Sequence, residues 1–273
     1  MSHRGFSLFG SHLEESPHLH HNICMNSSQL SQIAVWIKQS KRIVVLTGAG
    51  ISTESGIPDF RSPGGVWSKY RTVYYDEFMS SADARAEYWH QKAEAHREFF
   101  DSQPNAGHKV LAKWEQAGQL QGVITQNIDG LHQIAGNQNV FELHGTARFI
   151  KCQDCAEMFD ADPLVRGYLE TEVIPNCSAC GKDRLKHATV SFGQMLPEDV
   201  LEKSIDLCRE ADLIFAIGSS LVVTPAANLP MLTKQARGKL VIINRDETPV
   251  DHYADAVIHA GIGATLSEID QRV

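Results

Sequence analysis

The sequence predicts an α/β fold built on a doubly wound parallel sheet. Short apolar runs rich in β-branched residues, such as 43–47 and 240–243, alternate along the chain with stretches of helix-forming residues. Such alternation is typical of parallel strands connected by helices. A chain of 273 residues, 42% of them hydrophobic, can form one large domain or a domain with a smaller insertion.

The individual elements can be placed in order along the chain. The first helix begins at Ser27 or Ser28, where apolar residues recur on one helical face. Helix-forming residues also fill the segment from Asp76 to Phe100. The predicted buried strands are 43–47, 122–125, 141–143, 188–192, 213–217 and 240–243. The further helices that separate them are predicted near 106–116, 197–210 and 225–237.

Small or polar residues follow five of these strands. These segments are Gly48-Ala49-Gly50, Gln126-Asn127-Ile128-Asp129, His144-Gly145, Gly218-Ser219-Ser220 and Asn244-Arg245-Asp246. In open parallel sheets, ligands bind beyond the carboxyl ends of the strands. The sequence therefore predicts that all five segments converge on one crevice.

The first of these turns has the glycines of a phosphate-binding loop. Gly48 and Gly50 follow a β-branched strand, so backbone N–H groups can approach an anion with no Cβ in the way. The spacing departs from the dinucleotide fingerprint, because Thr53 stands at the position of its third glycine. An ordinary tight turn therefore stays open as an alternative. The loop that follows carries one acid, one aromatic ring and one guanidinium: Asp59, Phe60 and Arg61.

Four of the six cysteines form two Cys-x-x-Cys pairs, Cys152 with Cys155 and Cys177 with Cys180. Each pair can place two thiolates on one ion, and two pairs complete a tetrahedral zinc site. Because sulfur fills every position, we expect a structural zinc rather than a catalytic one. The polar segment around these cysteines has few apolar residues of its own, so zinc would stabilise its fold. Two redox dithiols remain the alternative.

Composition argues against several classes of protein. The net charge is −8 and the basic residues form no run, which disfavours direct nucleic-acid binding. No segment approaches the roughly 20 apolar residues of a membrane helix, and no signal peptide is recognisable. We therefore expect a cytoplasmic monomer that contacts neither membranes nor nucleic acids. The polar, histidine-rich segment 1–27 is interpreted as a flexible tail.

The motifs also stand together in one order along the chain. They are GAGIS-x-x-SGIPDFR, TQNID, HG, CxxC…CxxC, VSFG, GSS and INR. This combination resembles the sirtuin (Sir2-like) family of NAD-dependent protein deacylases over about residues 28–270. Its pattern is closest to class II-like bacterial and mitochondrial members. The resemblance implies NAD+ as co-substrate, one structural Zn²⁺ and acyl-lysine proteins as substrates.

The family fold implies a Rossmann-type domain with a small domain made of a zinc ribbon and a helical module. The implied Rossmann-type domain has three parts at 28–65, 105–148 and 187–273, with the helical module at 66–104 and the zinc ribbon at 149–186. The implied NAD contacts are Gly48, Ala49, Gly50, Ile57, Asp59, Phe60, Arg61, Gln126, Asn127, Ile128, Asp129, Gly218, Ser219, Ser220, Asn244 and Arg245. The residues implied to pair with the substrate backbone as an added strand are Val190, Ser191, Phe192 and Gly193.

The resemblance makes His144 and Asn127 catalytic. A histidine at a strand end can act as a general base near neutral pH. In the implied reaction the acyl-lysine carbonyl oxygen attacks the ribose as nicotinamide leaves. His144 then deprotonates a ribose hydroxyl, which attacks the acyl carbon to give O-acyl-ADP-ribose. His144 could instead only bond to backbone, and Asn127 and Asp129 could cap a helix.

Two other functions stay open on the sequence. One is mono-ADP-ribosyl transfer from the same NAD site, and the other is a non-catalytic NAD-sensing or zinc-ribbon binding module. The acyl preference is also open. Members that remove succinyl groups carry Tyr and Arg where alignment places Trp89 and Lys92, and lysine lacks the bidentate grip of arginine on a carboxylate. We therefore expect acetyl or longer neutral acyl groups.

Overall fold

The computed structural model of the chain describes residues 26–59 and 71–273. The strands within these two ranges are β1 (Ile43–Thr47), β2 (Leu120–Thr125), β3 (Val140–Glu142), β4 (Gly145–Cys152), β5 (Met158–Asp160), β6 (Leu185–Thr189), β7 (Leu213–Ile217), β8 (Lys239–Ile243) and β9 (Ala256–Ile258). Phe60, Arg61 and most of the predicted tail lie outside the described residues.

The described α-helices are α1 (Ser27–Gln39), α2 (Tyr75–Ser80), α3 (Ala82–Phe99), α4 (Ala106–Gln116), α5 (Leu131–Ala135), α6 (Ala161–Thr171), α7 (Glu198–Glu210), α8 (Leu229–Gln235) and α9 (Ile262–Asp270). The helices predicted near 106–116, 197–210 and 225–237 are confirmed. The long helical segment predicted after Asp76 is divided into α2 and α3 at Ser81, whose side chain accepts a hydrogen bond from the Ala84 N–H. No helix in the described ranges is long and apolar enough to cross a bilayer.

The large sheet has six parallel strands in the order β3-β2-β1-β7-β8-β9. The chain builds outward from β1 in one direction through β2 and β3, and in the other through β7, β8 and β9. The direction of winding therefore reverses between β1 and β7, where an open parallel sheet has its ligand crevice. The predicted doubly wound parallel sheet is confirmed.

Strand β1 shows how the sheet is buried on both faces. All of its residues are buried, and their side chains alternate between two apolar cores. Ile43 and Val45 pack into the core shared with α1, α4 and α9. Val44 and Leu46 pack into the core shared with α7 and α8. This two-sided burial fixes the strand ends that form the crevice.

A smaller lobe contains an antiparallel sheet in the order β5-β4-β6, with α2, α3 and α6 packed beside it. The prediction of a strand at 188–192 in the large sheet was wrong. The strand ends at Thr189, and it pairs with β4 of the smaller sheet. Its apolar, β-branched composition favours a strand but does not say which sheet it joins. Gly145 allows this pairing, because a Cβ there would lie 2.0 Å from the Ala188 carbonyl oxygen.

Candidate active site

The turn after β1 is packed tightly against the turn after β7. A Cβ on Gly48 would lie 2.7 Å from the Gly218 carbonyl oxygen, and one on Gly50 would lie 2.7 Å from Gly218 Cα. The Gly50 N–H also donates to the Gly218 carbonyl at 2.8 Å. A 3₁₀ helix at Ala49–Ser55 begins here, so backbone N–H groups lie at the mouth of the crevice. The turn can therefore cradle a pyrophosphate.

A cavity of about 1000 Å³ opens at the carboxyl ends of the large sheet and extends to the smaller lobe. It is lined by most of the predicted site residues: Gly48, Ala49, Gly50, Asp59, Gln126, Asn127, Ile128, His144, Val190, Ser191, Phe192, Gly193, Gly218, Ser219, Ser220, Asn244 and Arg245. Two predicted contacts, Ile57 and Asp129, do not line it. The five strand ends do converge, as predicted.

A buried hydrogen-bond network lies beneath the centre of the cavity. The Ser52 hydroxyl donates to Asp129 Oδ2 at 2.7 Å, and Asn127 Nδ2 donates to the Ser52 hydroxyl at 3.1 Å. Asn127 Oδ1 is buried and has no hydrogen-bond partner among the described residues. Because buried acceptors normally have a partner, this oxygen indicates a bound polar ligand or water. The sequence analysis did not single out Ser52. The signal that could have found it is a hydroxyl side chain about one helical turn after the two glycines.

Asp129 has a supporting role in this network. Its Oδ1 accepts from the Leu131 N–H at 2.9 Å, the first N–H of α5, although Gly130 rather than Asp129 occupies the N-cap position. Its other carboxylate oxygen holds Ser52. Asp129 is 6% exposed, and it therefore reaches the cavity only through the Ser52 and Asn127 side chains.

His144 has one ring nitrogen fixed and the other available. Nδ1 lies 2.9 Å from the Gln126 carbonyl oxygen, which can only accept a hydrogen bond. This contact assigns the proton of the neutral ring to Nδ1 and leaves a lone pair on Nε2. Burial lowers the pKa of His144, although the Gln126 carbonyl opposes that shift. The ring is therefore neutral near pH 7, as a general base requires.

Other buried histidines lie under the network rather than in the cavity. His132 Nε2 is 3.0 Å from the Thr47 hydroxyl, and its ring lies 4.9 Å from the ring of His108. Burial lowers the pKa of His132 to about 3 and that of His108 to about 4. Both therefore stay neutral near pH 7 and belong to the packed interior beneath the site.

The four paired cysteines come together at the end of the smaller sheet. Their sulfur atoms all lie within 4.8 Å of one another; the Cys152 and Cys180 sulfurs are 3.6 Å apart, and those of Cys155 and Cys177 are 3.7 Å apart. A zinc–sulfur bond of about 2.3 Å gives a tetrahedral edge of about 3.8 Å. The sulfurs therefore fit one structural Zn²⁺, which would tie β4 to the segment before β6. The more distant Cys208 is buried in α7.

Helix α3 lines the part of the cavity in the smaller lobe. Tyr88, Gln91, Lys92 and Ala95 face it, at the spacing of one helical face. The expectation that Trp89 stands there was wrong. Trp89 is fully buried in the small-lobe core, and its Nε1 donates to the Leu185 carbonyl at 2.9 Å. One residue along a helix changes direction by about 100°, so alignment by sequence alone misplaced Trp89, whereas Lys92 does line the cavity.

Residues 48–225 match the family model of the Sir2 family. The chain belongs to the Sir2 family. It is 46% identical over 242 residues to a NAD-dependent protein deacetylase of Rhodopseudomonas palustris, with 88% of this chain and 95% of that protein covered. It is also 38% identical over 237 residues to NAD-dependent protein deacylase 1 of Archaeoglobus fulgidus, covering 87% and 95% respectively.

The Sir2 fold is confirmed by a solved structure. A Sir2 complex with a p53 peptide and NAD+ matches with a TM-score of 0.80 and 37% sequence identity. The match covers 88% of this chain and 96% of that one. The predicted Rossmann-type sheet with an accompanying small lobe is therefore the architecture of this Sir2-family protein.

Proposed function

We infer that this Sir2-family protein is an NAD-dependent protein-lysine deacylase that releases nicotinamide and O-acyl-ADP-ribose. The observation that carries this inference is the geometry of His144: its Nδ1 is held by a backbone carbonyl, and its ring lines the same cavity as the Gly48–Gly50 turn. The relatives named as NAD-dependent deacetylases and deacylases support the same reaction. The substrates are acyl-lysine side chains of proteins.

The residues around the crevice fit an NAD molecule. The Gly48–Gly50 turn receives the pyrophosphate, and Ser219 and Asn244 face the adenosine ribose. Gln126 Nε2 donates to the Ser219 hydroxyl at 2.8 Å, which links the ends of β2 and β7 beneath the ligand. Asn127 Oδ1, which has no hydrogen-bond partner in the part of the chain that the structure describes, is the acceptor offered to the nicotinamide ribonucleoside. Phe60 and Arg61 remain predicted NAD contacts.

His144 is the base of the second half of the reaction. Nε2 takes a proton from the ribose hydroxyl that attacks the acyl carbon, while Nδ1 keeps its bond to Gln126 and holds the ring in place. The first half has a weak nucleophile, the neutral amide oxygen of acyl-lysine, so positioning must contribute most to that step. The closed floor of Ser52, Asn127 and Asp129 helps to keep water from the ribose.

The segment Val190–Gly193, which is predicted to pair with the substrate backbone, is hydrogen-bonded to the catalytic histidine. The Val190 N–H donates to the His144 carbonyl at 2.8 Å. The Ser191 N–H donates to Gln194 Oε1 at 3.1 Å, so a peptide that adds as a strand along Ser191 displaces the Gln194 side chain. Binding of a substrate backbone is thereby linked directly to the position of the base.

The proposal is tested with an acetyl-lysine peptide, with and without NAD+. We expect free lysine only with NAD+, and we expect His144→Ala to lower the rate by about 10²–10⁴-fold, the usual contribution of a general base. His90→Ala is the matched control, because His90 is 67% exposed on α3 and does not line the cavity. Deacylation without NAD+, or an unchanged rate in His144→Ala, would contradict the proposal. A peptide that gains ADP-ribose would instead indicate transfer.

A further inference from the structure

Two basic side chains of the small antiparallel sheet donate hydrogen bonds to backbone carbonyls, but to different parts of the chain. Lys186 on β6 is 1% exposed, and its ammonium donates to the carbonyls of His187 and Thr189 in the same strand. The sequence predicted Lys186 on a solvated face beside the zinc ribbon, and that prediction was wrong. Arg148 on β4 instead donates to carbonyls of two other elements, so it links segments that are distant in sequence.

Arg148 joins β4 to the loop after β2 and to the end of α3. Its Nε donates to the Asp129 carbonyl at 2.7 Å, and its Nη1 donates to the Phe100 carbonyl at 2.9 Å. The guanidinium carbon also lies 4.9 Å from the centre of the Phe100 ring, within the range of a cation–π contact. Gly130 leaves the space for the side chain, because a Cβ there would lie 3.0 Å from Arg148 Cγ. The planar guanidinium can hold both carbonyls at once.

An irregularity of β4 accounts for the direction of this side chain. The register of β4 with β6 shifts between Gly145 and Ile150, so that residues 146–149 stand opposite Ala188 alone. A bulge bends its strand and redirects its side chains. Arg148 lies within the bulge, and it therefore turns toward the loop after β2 rather than along the small sheet.

The bulged segment is bonded to this loop at three points. The bonds run from His144 Nδ1 to the Gln126 carbonyl at 2.9 Å, from the Ala147 N–H to the Ile128 carbonyl at 2.8 Å, and from Arg148 Nε to the Asp129 carbonyl at 2.7 Å. Asn127, which lines the cavity, lies between the first two of these carbonyls. The three bonds therefore fix the loop that carries Asn127 against the segment that carries the general base.

The second bond of Arg148 connects this loop to the cavity wall in the small lobe. Phe100 is the C-cap residue of α3, and Tyr88 and Lys92 of that helix line the cavity. A cation is favourable at the carboxyl end of a helix, where the last carbonyls have no partner within the helix and the dipole is negative. A path of direct contacts therefore runs from the lining helix through Phe100 and Arg148 to the loop.

We propose that Arg148 is a positioning residue, which holds the loop 126–129 at the distance from α3 that deacylation requires. The inference rests on the proposed deacylase function and deepens it. Arg148 does not line the cavity, so it acts through the Asp129 and Phe100 carbonyls. Reacting groups tolerate little displacement, and a shift of about 1 Å can cost on the order of 100-fold in rate. The pyrophosphate turn and the peptide segment lie on other elements, so binding depends on Arg148 less than the chemical step does.

The test separates kcat from KM in Arg148→Met, which keeps most of the side-chain volume and removes the donors. We expect kcat for an acetyl-lysine peptide to fall about 10- to 100-fold, while the KM values for peptide and NAD+ change by less than about twofold. Arg148→Lys keeps the charge but lacks the planar fork that spans both carbonyls. Its kcat should therefore lie between the wild-type value and that of Arg148→Met.

Arg85→Met is the matched control. The Arg85 side chain is 12% exposed on α3, and it donates to the Phe78 carbonyl at 3.1 Å and to Asp183 at 2.8 Å, within the small lobe. Urea unfolding measures the stability that each variant loses, and Arg85→Met should keep the wild-type kcat while it is folded. An equal fall of kcat in both methionine variants, or an unchanged kcat in Arg148→Met, would overturn the proposal. If Arg148→Met does not fold, an unchanged kcat in Arg148→Lys would overturn it.

Amide hydrogen exchange separates this inference from the function on which it rests. In Arg148→Met the amides of residues 126–131 should exchange faster than in the wild type, whereas Arg85→Met should leave them unchanged. NAD-dependent turnover with an unchanged kcat and unchanged exchange in Arg148→Met would refute the role of Arg148 alone. A wild-type protein without NAD-dependent turnover would refute the deacylase, and the exchange of 126–131 would still decide whether Arg148 holds the loop.

Discussion

The two lobes of this protein differ in the kinds of side chain that they bury. In the large lobe, β1 and β7 are buried along their whole length, and their cores are almost entirely aliphatic and aromatic. The small lobe buries Lys186, His187 and His96 beside its aromatic core, and it gathers four cysteines at one end. The comparison indicates that apolar burial holds the large lobe, whereas the small lobe depends on its metal site as well.

Buried polar groups in the two lobes also differ in position. In the large sheet they stand at the ends of β1 and β2, where the Thr47 and Thr125 hydroxyls are 2.8 Å apart and Asn127 follows. These groups form the floor of the active site. In the small lobe the buried cation Lys186 supports the wall beside it. Asn127 therefore lines the cavity at the end of β2, whereas Lys186 lies behind the cavity wall formed by Thr189.

The largest expected effect is the loss of the zinc site in Cys177→Ser. Zinc binding by four thiolates supplies on the order of 10 kcal/mol or more to small zinc domains, so we expect loss of bound zinc, unfolding of the small lobe and loss of activity. Zinc content by mass spectrometry and amide hydrogen exchange of 145–189 measure this. Cys208→Ala, the control, should keep one zinc per chain. A zinc-free Cys177→Ser protein whose small lobe exchanges amide hydrogens as slowly as the wild type would refute the dependence of that lobe on its metal site.

A matched pair of cavity substitutions sharpens the contrast. Phe215→Ala in the large-lobe core and Phe78→Ala in the small-lobe core each remove a fully buried ring, and each should destabilise by about 3–5 kcal/mol. We expect only Phe78→Ala to accelerate zinc release to a chelator, because only that ring belongs to the buried core that includes Cys152 and Cys177. Equal release rates in the two variants would show that the lobes unfold as one unit.

A third, smaller effect concerns the buried cation Lys186. Burial lowers its pKa to about 7 in the folded protein, while the unfolded chain keeps the usual value near 10.4. Between these values the unfolded state binds more protons, so the free energy of unfolding rises with pH, by at most about 1.4 kcal/mol per unit. Below pH 7 both states are protonated and this contribution is constant.

Lys186→Met should therefore flatten the increase in stability from pH 7 to pH 9. Urea unfolding at several pH values measures the slope, and Lys203→Met, which changes an exposed lysine, should follow the wild type. Parallel curves for wild type and Lys186→Met would show that the ammonium has an ordinary pKa in the folded protein.

The smallest effect concerns Gln194, which follows the segment Val190–Gly193 that is predicted to pair with the substrate backbone. The Gln194 side chain accepts a hydrogen bond from the Ser191 N–H, which a substrate backbone would need as a donor. Gln194→Ala should therefore lower the KM for peptide by about two- to fivefold, because one neutral hydrogen bond contributes roughly 1 kcal/mol. Steady-state kinetics at saturating NAD+ measures it. Gln121→Ala, an exposed glutamine of β2 away from the cavity, is the control. A raised KM in Gln194→Ala would mean that the glutamine binds the substrate instead.

The sequence predicted the features that local patterns determine. Apolar strand runs that end in small or polar residues predicted the parallel sheet and the convergence of five segments. The two Cys-x-x-Cys pairs predicted the sulfur cluster, because ligand spacing is a local constraint. Both follow from chemistry within a few residues of one another in the chain.

The features that were missed depend on contacts between distant segments. Whether 188–192 joins the large sheet or pairs with β4 is decided by its partner strand rather than its composition. Tyr88 rather than Trp89 lines the cavity because α3 is rotated by its packing on the small-lobe core. Lys186 is buried because two carbonyls accept from it. The domain boundaries at 149 and 187, the class II-like pattern, the monomeric state and the cytoplasmic location stay predictions.

The account is tested most directly by the stoichiometry of products with an acetyl-lysine peptide. Zinc-loaded protein, NAD+ and peptide are incubated, and nicotinamide and free lysine peptide are quantified by mass spectrometry over the whole time course. We predict that the two appear in equal amounts at every time point. Free lysine peptide that accumulates without an equal amount of nicotinamide would contradict the coupling of NAD cleavage to deacylation.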